Sequence, residues 1–257
     1  MLKIHGLTHT GRVRKGNEDA LAADGELGLF VVADGMGGHN AGEVASQLAI
    51  DTLRAFLVRS ATGEDCTWPF GIDPKLTFNG NRLVTGLRLA NRRVFKASEA
   101  RDEYTGMGST GAVVLVDKDE ITFATVGDTR IYLCRAGELV QLTQDDTWGS
   151  RIRSLDPSML PAAVREGPMD HVLTKVLGAS EEIDVEVFQR RLEPQDRVLL
   201  CSDGLYNSIE AEKLESIIGG GLDVVPTVEA LVRTALEEGG RDNITALLIE
   251  YCTASAA

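Results

Sequence analysis

The sequence has few cysteines and no long hydrophobic stretch. Only four of its 257 residues are cysteine, Cys66, Cys134, Cys201 and Cys252, and no two of them form a CxxC pair. This spacing predicts reduced, mostly buried thiols, and it argues against a disulfide framework or a zinc site. No apolar run has the length of a membrane span, and the first ten residues lack the apolar centre of a secretion signal. We therefore expect a soluble, cytoplasmic protein.

The sequence also has fewer basic than acidic residues. The chain has 26 lysine and arginine residues against 39 aspartate and glutamate residues, which gives a formal net charge of -13. Nucleic acids and anionic membranes attract basic surfaces, so neither is an expected partner. The surplus of carboxylates is compatible with a cation site, although a solvated acidic surface accounts for most of it.

No linker, charged tract or internal repeat divides the chain, so residues 1–257 are predicted to form one domain. Short apolar or β-branched runs predict strands at 28–33, 111–116, 121–126, 131–134, 197–201 and 244–250. The tight polar connections at 117–120 and 135–138 indicate antiparallel hairpins. Apolar residues at helical spacing predict helices within 44–56, 83–95 and 228–236. We expect an α+β layered sandwich with helices on the outside of the sheets.

Aspartates stand where several of these strands begin or end. Asp34, Asp128 and Asp203 each come just after a predicted strand, and Asp242 comes just before the last one. In an antiparallel pair, the end of one strand lies beside the start of its neighbour. Asp203 and Asp242 are therefore expected to share one edge of a sheet, where Asp34 and Asp128 can join them.

A further acidic stretch, Asn17-Glu18-Asp19, follows shortly after Arg14. Carboxylates crowded at one edge cannot all stay ionised unless a cation lies among them. Mg²⁺ and Mn²⁺ prefer oxygen ligands and keep part of their water, so a few carboxylates could hold two ions. Two ions about 3.5 to 4 Å apart would acidify a shared water and present hydroxide to a phosphorus atom. A lone Asp-Gly pair is usually only a turn, but this set of acids favours a two-metal hydrolase.

Six segments carry a family resemblance. In order, they are GRVRKGNEDA, VVADGMGGH, MGSTGAVVLV, ATVGDTRIYL, VLLCSDGLYN and GGRDNITALLIE. Together they resemble the metal-dependent Ser/Thr protein phosphatases of the PPM, or type 2C, family in its bacterial form, over residues 8–251. The resemblance implies a four-layer α/β/β/α sandwich, in which helix pairs flank two mainly antiparallel sheets and a dimetal site lies at one end. It also implies hydrolysis of phosphoserine and phosphothreonine in proteins by metal-activated hydroxide, with Mn²⁺ or Mg²⁺ as cofactor.

The same resemblance implies the metal ligands. Asp34 would bridge both ions, and the Gly35 carbonyl would bind one of them. Asp203 and Asp242 would complete the coordination of the other ion. Hydrolysis would then proceed by direct attack, with no phosphoenzyme, and these three aspartates would be essential for catalysis.

Three further residues receive supporting roles from the resemblance. Glu18 would act through a metal-bound water, and Asp19 would support the ligands rather than bind the ion directly. Arg14 would hold the substrate phosphate, a task that suits the bidentate fork of a guanidinium. A surface salt bridge is the alternative interpretation of Arg14.

The chain departs from the family pattern at two places. Some members have a histidine after the Asp-Gly of the second motif, proposed to protonate the leaving oxygen, where this chain has Met36. His39 has a different offset, so we do not assign it that role, and a metal-bound water could be the acid. Many bacterial relatives hold a third, weaker ion with the equivalent of Asp128 and a second aspartate, where this chain has Asn207. We expect a third ion to bind weakly or not at all, and Asn207 mainly to cap the next helix.

Residues 145–180 have poor periodicity and correspond to the mobile flap of the family. A short helix is predicted around 172–177. The usual Asp-His-Ser at the start of the flap is Asp145-Asp146-Thr147 here, and this divergence is expected to alter substrate choice.

The sequence therefore predicts a phosphoprotein phosphatase that opposes a bacterial Ser/Thr kinase. Two alternatives stay open. A pseudophosphatase would bind phosphoproteins without turnover, but Arg14, Asp34, Asp203 and Asp242 are all present, which disfavours it. A two-metal phosphoesterase acting on small molecules would be separated from the first hypothesis by comparing phosphopeptides with nucleotides as substrates.

Overall fold

Two antiparallel sheets form the centre of the computed structural model, which describes residues 1–38, 40–61, 66–154 and 171–252. The first sheet contains, in spatial order, β1 (Leu2–His9), β11 (Ile244–Tyr251), β10 (Arg197–Cys201), β7 (Arg130–Arg135) and β8 (Glu138–Gln141). The second contains β2 (Asp19–Asp24), β3 (Leu29–Met36), β5 (Gly111–Asp117), β6 (Glu120–Val126) and β9 (Phe188–Arg191), with the short β4 (Gly108–Ser109) paired to the end of β3.

Helices cover the outer face of each sheet. The bounds are α1 (Ala41–Arg59) and α2 (Phe78–Ala100) over the second sheet, α5 (Ala211–Gly219) and α6 (Val224–Glu237) over the first, and the short α3 (Trp148–Ser154) and α4 (Asp203–Tyr206). The four-layer α/β/β/α order that the resemblance implied is confirmed. Within the described ranges, none of these helices combines the length and the apolar character that crossing a bilayer requires.

Three apolar layers hold the sandwich together. Along β3, Val31 packs toward α1 and α2, whereas Val32 packs between the two sheets. Along β10, Leu199 packs toward α5 and α6, and Leu200 packs between the sheets. Successive side chains point to opposite faces of a strand, so a strand covered on both sides needs apolar residues at every position. This is why the central strands are visible in the sequence as unbroken apolar runs.

The six strands predicted from apolar runs and the three helices predicted from helical spacing are confirmed, but β1, β2, β4 and β9 were not predicted. β4 has only two residues, and β1, β2 and β9 each lie at an edge of their sheet. β9 is exposed along its whole length, and β1 is mostly half-buried or exposed. Edge strands need no continuous apolar face, and their polar and alanine residues gave no strand pattern.

The predicted helix around 172–177 is wrong. Leu173 pairs with Thr147, and Leu177 pairs with Ser109, as isolated β-bridges. The N–H of Thr174 donates to the Asp146 carbonyl at 2.7 Å, and the N–H of Leu177 donates to Ser109 at 2.8 Å. These backbone groups bind neighbouring segments instead of forming a helical ladder, so the segment runs along the end of the sandwich. Residues 155–170 of the predicted flap lie outside the described residues.

Candidate metal centre

Segments of both sheets meet around a cavity of about 550 Å³, at the end of the sandwich where β10 ends and β11 begins. Of the eight predicted site residues, seven line this cavity: Arg14, Glu18, Asp34, Gly35, Asp128, Asp203 and Asp242. The eighth, Asp19, is the strand partner of Asp34. The structure therefore brings all the predicted residues to one place.

Asp34 lies within β3, which corrects the prediction that this strand ends just before it. The strand continues to Met36 by changing partner: Val32 pairs with β5, whereas Gly35 and Met36 pair with β4. The N–H of Asp34 donates to Thr110 Oγ1 at 3.0 Å, and its carbonyl accepts the N–H of Thr110 at 2.8 Å. Burial, and then the nearby charges of Asp19 and other carboxylates, hold the pKa of Asp34 well above its usual range.

Asp203 and Asp242 lie at neighbouring strand ends, as predicted. Asp203 is the first residue of α4, and only Ser202 separates it from β10. Burial, and then the charge of Asp242, raises the pKa of Asp203. A Cβ at Gly204 would stand 1.9 Å from the Asn243 carbonyl oxygen, so only glycine lets α4 start this close to the Asp242 loop. Asp242 Oδ1 accepts the N–H of Asn243 at 2.8 Å.

Glu18 is held against the start of α1. Its carbonyl accepts the N–H of Gly35 at 3.1 Å and the Ser46 hydroxyl at 2.6 Å. Its side chain lies over Gly42, where a Cβ would stand 2.3 Å from Glu18 Oε1. Burial raises the pKa of Glu18, which adds another partly buried carboxylate beside the aspartates.

Asp19 has one satisfied oxygen and one orphaned oxygen. Its Oδ2 accepts the hydroxyls of Ser202 at 2.7 Å and Thr245 at 2.6 Å. Its Oδ1 is buried and has no hydrogen-bond partner among the described residues. Burial raises the pKa of Asp19 to about 6, above its ordinary value of 3.8, and these two hydroxyls only partly offset the effect. A buried acceptor without a donor is costly, and a nearby cation would compensate it.

Arg14 lies at the rim of the cavity. One guanidinium nitrogen donates to Asp242 Oδ2 at 2.7 Å, and about half of the side chain, 49 %, is exposed. A surface salt bridge was the alternative interpretation of Arg14. Arg14 does form an ion pair, but its partner is the predicted metal ligand Asp242. A guanidinium has five N–H donors, so an exposed one that contacts a carboxylate through one nitrogen can also bind a phosphate.

Asp128 and Asn207 form the region of the predicted weak third site. Burial, and then the charge of Asp203, raises the pKa of Asp128 to about 6. The expectation that Asn207 caps the next helix is wrong, because Glu210 occupies the N-cap position of α5. The Asn207 side chain instead turns back, and its Nδ2 donates to Asp203 Oδ2 at 3.3 Å. A neutral amide therefore contacts a site carboxylate.

Sequence reasoning missed Asn243, a buried residue that joins the N-terminal loop to the Asp242 loop. Its Oδ1 accepts the N–H of Glu18 at 2.8 Å, and its Nδ2 donates to the carbonyls of Thr10 and Gly16, both at 2.9 Å. The only signal was an asparagine beside a predicted ligand. His171 also lines the cavity without having been predicted. His39 lies outside the described residues.

The donor set fits a hard divalent cation. All the predicted side-chain donors are carboxylate oxygens, burial and mutual repulsion raise several of their pKa values, and Asp19 Oδ1 is orphaned. In the part of the chain that the structure describes, no three His, Cys, Asp or Glu side chains group closely enough to hold an ion by themselves. An ion here would therefore also take backbone carbonyl and water oxygens, as Mg²⁺ and Mn²⁺ commonly do.

Comparison with known proteins gives a consistent result. A family model described as protein phosphatase 2C matches residues 8–249. The serine/threonine phosphatase stp of Listeria welshimeri is 30% identical over 250 residues, which cover 95% of this chain and 93% of that protein. The crystal structure of the Mycobacterium tuberculosis serine/threonine phosphatase PstP/Ppp matches with a TM-score of 0.80 at 30% identity, over 98% of this chain and 99% of that chain. The catalytic domain of PstP in complex with two manganese ions also matches with a TM-score of 0.80 at 30% identity, over 98% of both chains.

Proposed function

The chain belongs to the protein phosphatase 2C family, and from this premise we propose that the cavity at the end of the sandwich is its active site. The chain is a metal-dependent serine/threonine protein phosphatase that hydrolyses phosphoserine and phosphothreonine in proteins, with Mn²⁺ or Mg²⁺ as cofactor. The observation that carries the proposal is the convergence of five carboxylates and Arg14 on one cavity.

In this proposal Asp34, the carbonyl of Gly35, Asp203 and Asp242 hold two ions. Glu18 contributes through water. When bound, the ions supply an acidified water and neutralise charge on the phosphoryl oxygens. A third ion beside Asp128 binds weakly at best, because Asn207 offers a neutral amide that already contacts Asp203.

The remaining residues bind, orient and support. Arg14 donates to the substrate phosphate from the rim and holds it in the cavity. Asp19 stands behind Asp34 and is itself fixed by Ser202 and Thr245. Asn243 keeps the Glu18 backbone beside the Asp242 loop. Met36 has no exchangeable proton and cannot protonate the leaving oxygen, so in this proposal water at the site would supply that proton.

The physiological setting is the finer part of the proposal. We propose that the substrates are phosphoproteins modified by a Ser/Thr kinase of the same bacterium, and that the enzyme works in the cytoplasm. The four free cysteines suit a reducing compartment.

The test is phosphate release from a phosphothreonine peptide by the purified protein, with and without Mn²⁺. We expect turnover that requires the metal and that is lost in Asp203→Asn, because an amide removes one ligand charge. A folded, metal-loaded wild type that releases no phosphate from any peptide would support the pseudophosphatase alternative. Faster release from nucleotides than from phosphopeptides would support the small-molecule phosphoesterase.

A further inference from the structure

One side of the active-site cavity is apolar and has no part in the phosphate chemistry. Met36, Val172 and Val176 line the same cavity as Arg14 and the carboxylates. We call these three residues the apolar rim. They come from two separate segments, the end of β3 and the described final part of the predicted flap, residues 171–180.

Two of the three residues of the apolar rim are exposed. Met36 is 37% and Val172 is 43% exposed, and Val176 is half-buried. Trp148, 44% exposed, lies next to them in the backbone network, since its N–H donates to the Val172 carbonyl at 2.9 Å. Single exposed apolar residues are ordinary, but a group of them at the mouth of a binding cavity indicates an interaction surface.

The apolar rim is built on a glycine. A Cβ at Gly108 would stand 2.5 Å from Val176 Cγ1 and 3.6 Å from Met36 Cγ, so the bare backbone of β4 lets these two side chains lie over it together. The segment that carries Val172 and Val176 is anchored by the Thr174–Asp146 hydrogen bond between these two residues and by the Leu177–Ser109 bridge just after them. A surface held in place before binding loses little conformational entropy when a partner docks.

We propose that the apolar rim binds an apolar side chain of the phosphoprotein substrate, located within two residues of the phosphorylated serine or threonine. This inference rests on the proposed function and concerns the same site. With the phosphate held near Arg14, the next residues of an extended substrate advance about 3.3 to 3.6 Å each and cross the mouth of the cavity, where the rim is exposed. An acidic side chain in that place would face both apolar groups and a chain of net charge -13.

The experiment compares three phosphothreonine peptides that differ only in the residues flanking the phosphothreonine, which are leucine, alanine or glutamate. With Mn²⁺ present, we expect kcat/KM for the leucine peptide to exceed that for the alanine peptide by about tenfold, as for one partly buried apolar side chain. The glutamate peptide is expected to be the slowest of the three.

Two variants assign the preference to the rim. In Val172→Ser the leucine-to-alanine ratio is expected to fall to about twofold or less. In the matched control Val140→Ser, which changes a 55% exposed valine on β8, the ratio is expected to stay near the wild-type value. Because the ratio compares two substrates of one enzyme preparation, a general loss of active protein does not affect it.

Other results would overturn the inference in distinguishable ways. Equal kcat/KM for the leucine and alanine peptides in the wild type, with Mn²⁺-dependent hydrolysis of p-nitrophenyl phosphate intact, would reject the rim and leave the proposed function standing. A second outcome combines equal kcat/KM for the two peptides with a wild-type dimer in sedimentation that Val172→Ser dissociates. This outcome would mean that the apolar rim binds a second copy of the chain instead of the substrate. No hydrolysis of either peptide or of p-nitrophenyl phosphate would reject both proposals.

Discussion

The two ends of strand β10 each carry an aspartate, and the two aspartates have opposite surroundings. Asp196 precedes the strand, is 1% exposed, and accepts hydrogen bonds from Arg135 Nη2 at 2.6 Å and from the Glu193 N–H at 2.7 Å. Asp203 follows the strand and faces Asp242, and burial together with that second carboxylate raises its pKa. At the start of β10, the positive charge of Arg135 compensates the buried Asp196. At its end, Asp203 faces a second negative charge, that of Asp242.

This difference separates a structural carboxylate from a functional one. Among the lining residues that the structure describes, Arg14 is the single lysine or arginine against five carboxylates. In the Asp196–Arg135 pair, a partly exposed guanidinium compensates the buried carboxylate without any ion, but a group of carboxylates without cations opposes folding until ions bind. Repulsion among the carboxylates of the cavity lowers the stability of the metal-free protein. Binding of metal ions relieves this repulsion, so the same carboxylates favour the metal-bound state.

The largest effect is expected from Asp34→Asn, which removes a charge from the functional end. Loss of a metal ligand removes several kcal/mol of charge stabilisation, so kcat on a phosphothreonine peptide should fall by at least about 10³-fold. The free energy of unfolding of the metal-free variant should rise by about 1 kcal/mol, because repulsion among the carboxylates is relieved. Steady-state kinetics with Mn²⁺ and urea unfolding with EDTA measure the two changes. A variant that keeps more than about a tenth of wild-type activity would contradict the dimetal assignment.

The pH dependence of stability provides the second test. Asp19 has a pKa of about 6 in the folded protein and an ordinary value of 3.8, so the folded state holds this proton more tightly. Its contribution is complete below pH 4 and is lost as pH rises through about 6, a loss of about 3 kcal/mol for this one group. We expect the unfolding free energy of the metal-free protein to fall across that range. The slope should be smaller in Asp19→Asn, and saturating Mn²⁺ should restore stability at pH 7. A metal-free protein whose stability rises steadily from pH 4 to 7 would count against an uncompensated Asp19.

Asp196→Asn tests the structural end of the strand. The change leaves Arg135 without its buried partner, and the free energy of unfolding should fall by about 2 to 3 kcal/mol. The value lies below that for a fully buried pair because the Arg135 side chain is 35% exposed and also contacts Glu193 at 2.6 Å. Activity per folded molecule with Mn²⁺ should remain within about twofold of wild type, since Asp196 lies far along the strand from the cavity. Loss of activity without loss of stability would mean that the two ends are not separate in function.

The position of the functional end could be predicted from strand order alone. Apolar runs located β10 and β11, and antiparallel pairing then placed Asp203 beside Asp242. The same approach failed for Asp34, because β3 exchanges β5 for β4 as its partner and continues without turning. A change of partner depends on residues distant in sequence, so it leaves no local signal.

Other features depended on side-chain competition that the sequence does not display. Asparagine is a residue type that often caps helices, yet the side-chain amide of Asn207 donates to Asp203 instead. The helix predicted around 172–177 does not form, because Ser109 and Asp146 accept hydrogen bonds from the backbone of that segment. Asn243 joins two loops that are more than 220 residues apart in sequence. Each outcome reflects a tertiary contact that outweighed a local preference.

The smallest effect is expected from Arg14→Ala, which tests the one lysine or arginine among the described residues that line the cavity. Arg14 is half exposed and donates to Asp242. Its loss therefore removes the proposed phosphate contact and breaks the ion pair with Asp242. If its main task is to bind the substrate phosphate, KM should rise about tenfold to thirtyfold while kcat stays within about threefold, and Arg14→Lys should recover part of the loss. If its main task is to hold Asp242 in place, kcat and the Mn²⁺ concentration needed for half activity should change instead, and KM should not. A titration of Mn²⁺ at fixed peptide, beside a titration of peptide at saturating Mn²⁺, separates the two. The first outcome would make the cation of this end a substrate-binding group, unlike Arg135 at the other end of β10, which serves only the fold.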